Sequence, residues 1–181
     1  MNTLNSNNFV PTQKYRHAFI IMSGIFIYIK LEPWLAQWVI NEQGGNPLAF
    51  NRNSTEHKIL EMSLIRQPYG VSPDLPGENK VAVELPHFKY KDVRVYNHLP
   101  QNAKRAIKQC IRNRFVIELW QDLHTFGYIG KRKQDIIYAW MEAHGIDATE
   151  TNFFALQKIY QRKREAYRKQ KNRENLPDFG H

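Results

Sequence analysis

Ala103, Ile107, Ile111, Phe115, Leu119 and Leu123 recur every fourth residue between Pro100 and Gly127. The run is far too long for a strand, and a spacing of four keeps side chains on one side of an α-helix. The chain must therefore contain a helix over about 100–126, and the fold must supply an apolar surface for its stripe. Two shorter helical patterns follow. Gly127 and Gly130 bracket a turn, and a second helix over about 131–144 carries Ile136, Ile137, Trp140 and Met141 before stopping at Gly145. A third opens with Asp147 and Glu150 in capping-box spacing and runs to about 174, ahead of Pro177.

The N-terminal half has a different pattern. Ala18 to Ile29 is almost wholly apolar but only about 12 residues long, against ~20 for a membrane-spanning helix. No small-residue cleavage site follows it, and its β-branched content reads as a buried strand, expected over 24–31. Pro33 then opens a helix in which Trp34, Leu35, Trp38 and Val39 share a face. Leu48–Phe50 reads as a short strand, and Asn53 with Glu56 as the capped start of a further helix. A Pro/Gly loop over 66–79 leads to strands expected at Lys80–Leu85 and Phe88–Tyr96. Residues 1–13 are polar and Asn-rich, and a second methionine stands at Met22, so 1–21 are expected to be a flexible tail. The fold class that results is α+β: a small N-terminal α/β unit over 22–98, then a basic three-helix unit over 99–181 with a long basic terminal helix.

Charge separates these halves further. Residues 1–98 carry 10 Lys/Arg against 8 Asp/Glu, whereas 99–181 carry 16 against 9, and 155–175 alone carry 8 against 2. Such one-sided charge points to a polyanionic partner, nucleic acid before an anionic membrane. A single cysteine, Cys110, excludes an internal disulfide or a cysteine-based metal cluster and suits the reducing cytoplasm.

Three groups of residues are candidates for phosphate contact, and one further residue for base contact. The third helix offers Lys158, Arg162, Lys163, Arg164, Arg168 and Lys169; the first helix offers Lys104, Lys108 and Arg112 at a spacing of four. Lys131, Arg132 and Lys133 stand at the start of the second helix, where cations oppose the helix dipole unless an anion binds there. Asn152, in the first turn of the third helix, has the side chain that reads adenine. The helices flanking Gly145 suggest a helix-turn-helix, but His144 falls where that motif is apolar and Glu150 where it meets phosphate. A phosphate-binding helix is therefore expected, with duplex DNA favoured over RNA. His87 to Tyr96 mixes basic and aromatic residues as a stacking platform does. On a strand, however, Phe88 and Tyr90 would lie opposite Lys89 and Lys91, which favours core packing.

Enzyme chemistry finds little support. Pro73-Asp74 with Glu78-Asn79-Lys80 has the composition of a PD…ExK nuclease motif, but three residues in a Pro/Gly loop cannot bring the pieces together on separate strands. Glu118 and Asp122 could hold a metal, yet Arg114 stands four residues before Glu118 as an ion-pair partner. No histidine cluster, glycine-rich phosphate loop or nucleophile elbow occurs. The sequence thus implies a non-enzymatic, cofactor-free nucleic-acid-binding protein acting as an accessory or regulatory factor. The N-terminal unit would supply homodimer or partner contacts. The competing expectation is an assembly protein whose third helix pairs with a partner through Phe153, Leu156, Ile159, Tyr160 and Tyr167.

Overall fold

The computed structural model describes residues 22–126 and 132–174 and has an α+β architecture. Strand β1 (Met22–Lys30) pairs antiparallel with β2 (Lys80–Pro86), with Ile27 opposite Val83 and Ile29 opposite Val81. Alternation decides which face is buried. Ile27 and Ile29 on β1, and Val81, Val83 and Leu85 on β2, point into the core, while Phe26 and Lys30 stay exposed. Leu48 docks on the free edge of β2 through two backbone hydrogen bonds, to Ala82 and from Glu84. The short strand expected at Leu48–Phe50 is thus a single bridge.

Helix α1 (Pro33–Gln43) buries Trp34, Leu35, Trp38 and Val39 on one face, as their spacing requires. Helix α2 (Thr55–Ser63) is capped by Ser54, whose hydroxyl accepts the His57 N–H at 3.1 Å, rather than by Asn53. The strand expected at Phe88–Tyr96 does not form. Asp92 accepts the Arg94 N–H with its carboxylate and the Val95 and Tyr96 N–H groups with its carbonyl, which curls the chain into a turn. Lys91 donates to the carbonyls of Glu61 and Leu64 at the end of α2. Phe88 is half-buried, 5.3 Å from the His57 ring, whereas Tyr90 stands in solvent, so the two do not pack together on the core as a strand would have placed them.

The remaining helices are α3 (Gln101–Phe126), α4 (Lys133–Ala143) and α5 (Glu150–Glu174). All six residues of the four-spaced stripe on α3 are buried. Each step of four advances ~40° around a helix of 3.6 residues per turn, so the stripe winds about 200° over its length. One helix can therefore face different neighbours along its course, and α3 packs against α1, α2, α4 and α5. Phe115 sits at the crossing with ring centroids 4.6 Å from Trp34, 5.3 Å from Trp38 and 5.6 Å from Trp140. Buried residues of both halves belong to one cluster, and the sequence boundary at 98/99 falls just before α3.

A polar clasp joins α1 to the turn between α4 and α5. Gly145 takes the left-handed conformation at φ 66°, and a Cβ there would lie 2.6 Å from the Asn41 amide nitrogen of α1. Gln37 of α1 donates to the Asp147 carboxylate and accepts from the Asp147 backbone at 3.1 Å. Asp147 is therefore engaged with α1, and Thr149 caps α5 by accepting the Asn152 N–H at 3.2 Å.

Candidate nucleic-acid interface

Helix α5 is apolar on the side that meets α3 and α4. Phe153 and Leu156 are buried, Tyr160 and Tyr167 lie 5.6 and 5.5 Å from the Trp120 ring, and Tyr138 stacks on Phe153 at 4.6 Å. Packing thus reaches Tyr167, beyond Ile159 where the sequence turns basic. At ~100° per residue, Lys158, Arg162, Lys169 and Arg173 fall within about 60° of one another and about 150° from the packed side. All four are exposed, and none forms an ion pair among the described residues. The stripe is ~22 Å long at 1.5 Å per residue. Arg173 continues this row beyond Lys169 at the same helical spacing, whereas Lys171, exposed as well, lies about 170° around the helix from the row.

Grooves flank this helix on both sides. One, of about 300 Å³, lies between α3 and α5 and is lined by Arg112, Val116, Ile159, Arg162, Lys163 and Ala166. The other, of about 160 Å³, brings Arg164 together with Lys133, His124 and Tyr160 where α3, α4 and α5 meet. Arg132 is the residue before α4, and both it and Lys133 are exposed; Lys131 lies outside the described residues. Arg168 and Lys169 are exposed beyond the last packed turn.

The first-helix cations behave differently. Lys104 pairs with Asp74 and has a side chain only 14% exposed. Lys108 and Arg112 both reach Glu32 Oε1, at 3.0 and 3.3 Å. Burial alone would raise the Glu32 carboxyl, but the Lys108 hydrogen bond and the two positive charges hold it below the ordinary glutamate range. Their spacing suggested a phosphate-facing row; instead the row clamps the loop before β2 and the start of α1 onto α3. Arg105, exposed beside them, is the exception. Asn152 is also corrected: it is buried, and its amide donates to the Asp147 carbonyl at 3.0 Å and to Gln37 Oε1 at 3.3 Å. Its hydrogen-bonding edge is occupied within the fold and cannot meet a base.

Arg114 departs from expectation as well. It turns from Glu118 to Glu42 of α1 and to Glu56 of α2, the latter at 3.1 Å. Burial pushes the Glu42 carboxyl up against the pull of Arg114. Glu118 and Asp122 are left with His144, whose Nε2 lies 3.1 and 3.7 Å from their oxygens. Burial opposes the imidazolium, but hydrogen bonds to Glu118 and the Trp140 carbonyl and the two carboxylate charges hold the His144 pKa above the ordinary histidine value. Cys110 lies half-buried beside the stripe, and burial together with the nearby Glu56 raises its thiol, so it is a poor nucleophile.

Among the described residues no helix is long and apolar enough to cross a membrane. Comparison of the chain with protein-family models, with curated proteins and with solved structures finds no match. Geometry and charge alone therefore carry the functional reading.

Proposed function

We propose that this chain is a non-enzymatic nucleic-acid-binding protein, with duplex DNA as its ligand, that acts in the cytoplasm as an accessory or regulatory factor. The observation that carries the reading is the exposed row Lys158, Arg162, Lys169 and Arg173 on α5, which has no carboxylate partner among the described residues. Unpaired cations along ~22 Å of rigid helix suit a phosphate backbone, because each phosphate neutralised releases condensed counterions. Lys163 and Arg164 would widen the contact on either side, and Arg132 and Lys133 would add a second patch at the start of α4. Contacts of this kind position a protein on DNA without reading sequence, so modest specificity is expected. Internal packing counts against the competing partner-helix reading, since Phe153 and Leu156 are buried and Tyr160 lies against Trp120, although Tyr167 is 43% exposed and Ile159 lines the groove between α3 and α5.

Fluorescence anisotropy on labelled duplex DNA at a series of salt concentrations tests this. The wild-type chain should bind with an affinity that falls steeply with salt. Changing Lys158, Arg162, Lys169 and Arg173 to glutamine should weaken binding to all sequences alike. The salt slope should lessen by about 0.9 for each phosphate that is no longer neutralised. Absence of wild-type binding at low salt would end the proposal, and an unchanged slope in the variant would remove α5 from it.

A further inference from the structure

We propose that Glu118, Asp122 and His144 bind one divalent transition-metal ion of the zinc or manganese class, tying α3 to the end of α4. One ligand atom from each residue lies within 4.8 Å of the others. The two carboxylates are one helical turn apart on the same side of α3, and the imidazole comes from the residue that ends α4. Ligands ~2.1 Å from a tetrahedral ion lie ~3.4 Å apart, and the observed separations from Nε2 of 3.1 and 3.7 Å bracket that figure. One imidazole and two carboxylates form a mixed nitrogen and oxygen donor set of the kind that suits zinc, manganese or ferrous iron.

The surroundings orient the donors as outer-shell groups orient metal ligands. His144 Nδ1 is 2.8 Å from the Trp140 carbonyl, which can only accept a hydrogen bond, so Nδ1 carries the hydrogen and Nε2 faces the carboxylates. The Trp140 ring stacks on the imidazole with centroids 3.9 Å apart and fixes its plane. The same indole donates Nε1–H to Asp122 Oδ2 at 2.9 Å, setting that carboxylate too. Gly145, held in place against Asn41, fixes the backbone from which His144 projects.

The two carboxylates share one partner, His144, whose Nε2 proton a divalent ion would displace. Carboxylates at a spacing of four repel, and Arg114, the cation in position to relieve them, is committed to Glu42 and Glu56. No lysine or arginine among the described residues pairs with Glu118 or Asp122. A divalent ion between two carboxylates and a neutral imidazole makes the site neutral. The half-exposed rim leaves room for water to complete the coordination.

Isothermal titration of the full, chelator-treated chain with Zn²⁺ and separately with Mn²⁺ tests the site. Co²⁺ serves as a spectroscopic probe of nitrogen and oxygen ligation. One equivalent of ion should bind per chain, and bound Co²⁺ should show visible ligand-field bands. Glu118→Gln and Asp122→Asn should each lower the affinity about ten-fold or more, with far-ultraviolet dichroism unchanged. Zn²⁺ should raise the melting temperature of the wild-type chain but not of the double variant. Absence of saturable one-equivalent binding would overturn the proposal, leaving His144 as an ion-pair partner only. Binding retained in both variants would overturn it too, by placing the ion at other histidines. Neither result depends on nucleic-acid binding.

Discussion

Lys108 and Arg112 on α3 converge on one carboxylate, Glu32, while Arg162 and Lys169 on α5 meet none among the described residues. The side chains are of the same kind and both helices are basic, yet the environments differ in one respect. The cationic side of α3 lies beneath the N-terminal half, which supplies Glu32, Glu42, Glu56 and Asp74. On α5 the exposed Glu165 shares the side of the helix that carries Arg162 and Lys169, yet it forms no ion pair with them. Positive charge on α3 is thus a fastening, and on α5 it is available to a partner. Cation counts alone therefore do not separate a fastening from a free basic surface; the pairing of each cation does.

The contrast can be broken most forcefully at the centre of α3. Phe115→Ala should cost about 3–5 kcal/mol, because a fully buried ring that touches Trp34, Trp38 and Trp140 leaves a cavity shared by both halves. Urea denaturation followed by tryptophan fluorescence should show the loss in one cooperative transition. Two separate transitions would mean that the halves are independent. Arg114→Met should cost about 2–3 kcal/mol by the same measurement. It strands Glu42 and the buried Glu56, although water still reaches part of the arginine, so the effect falls below that of a wholly buried pair.

Glu32→Gln sharpens the comparison through pH. The folded-state pKa of Glu32 lies below its unfolded value, so its contribution is complete above the unfolded pKa and lost as pH falls through the folded one. Wild type should exceed the variant by less than about 1 kcal/mol at neutral pH, since the pair is one-third exposed. The difference should vanish once Glu32 is protonated in both states. A gap that persists in acid would show that the residue acts through packing. The smallest effect is expected on α5. Four glutamines at Lys158, Arg162, Lys169 and Arg173 should change stability by no more than about 0.5 kcal/mol, as exposed residues that glutamine can replace in a helix. A larger loss would mean that these cations, like those of α3, hold the fold together.

Much of the architecture was legible because periodicity is a local property. The four-spaced stripe placed α3, and the apolar spacing of Trp34, Leu35, Trp38 and Val39 placed one face of α1. Trp140 was expected in the core and is buried there. The Phe88–Tyr96 strand was misread because Asp92 can satisfy the backbone in a turn, and composition alone does not weigh that option against a ladder. Of the candidate interface, the basic run on α5 was visible as charge. The commitments of Lys104, Lys108, Arg112 and Asn152 were not, because Asp74, Glu32 and Gln37, which hold them, lie 30 to 115 residues away in sequence.

The sequence by itself determined the helices of the C-terminal half, the inward alternation of β1 and β2, and the concentration of positive charge at the end of the chain. Each follows from neighbours within a few turns or residues, where the backbone's own geometry sets which side chains align. Only the tertiary structure decided which charges remain unpaired. It turned Arg114 to Glu42 and Glu56, brought His144 to Glu118 and Asp122, and buried Asn152 against Gln37. The physical reason is that an ion pair or hydrogen bond depends on separation in space, over a few ångströms, and chain folding assigns that separation with no regard to distance along the sequence.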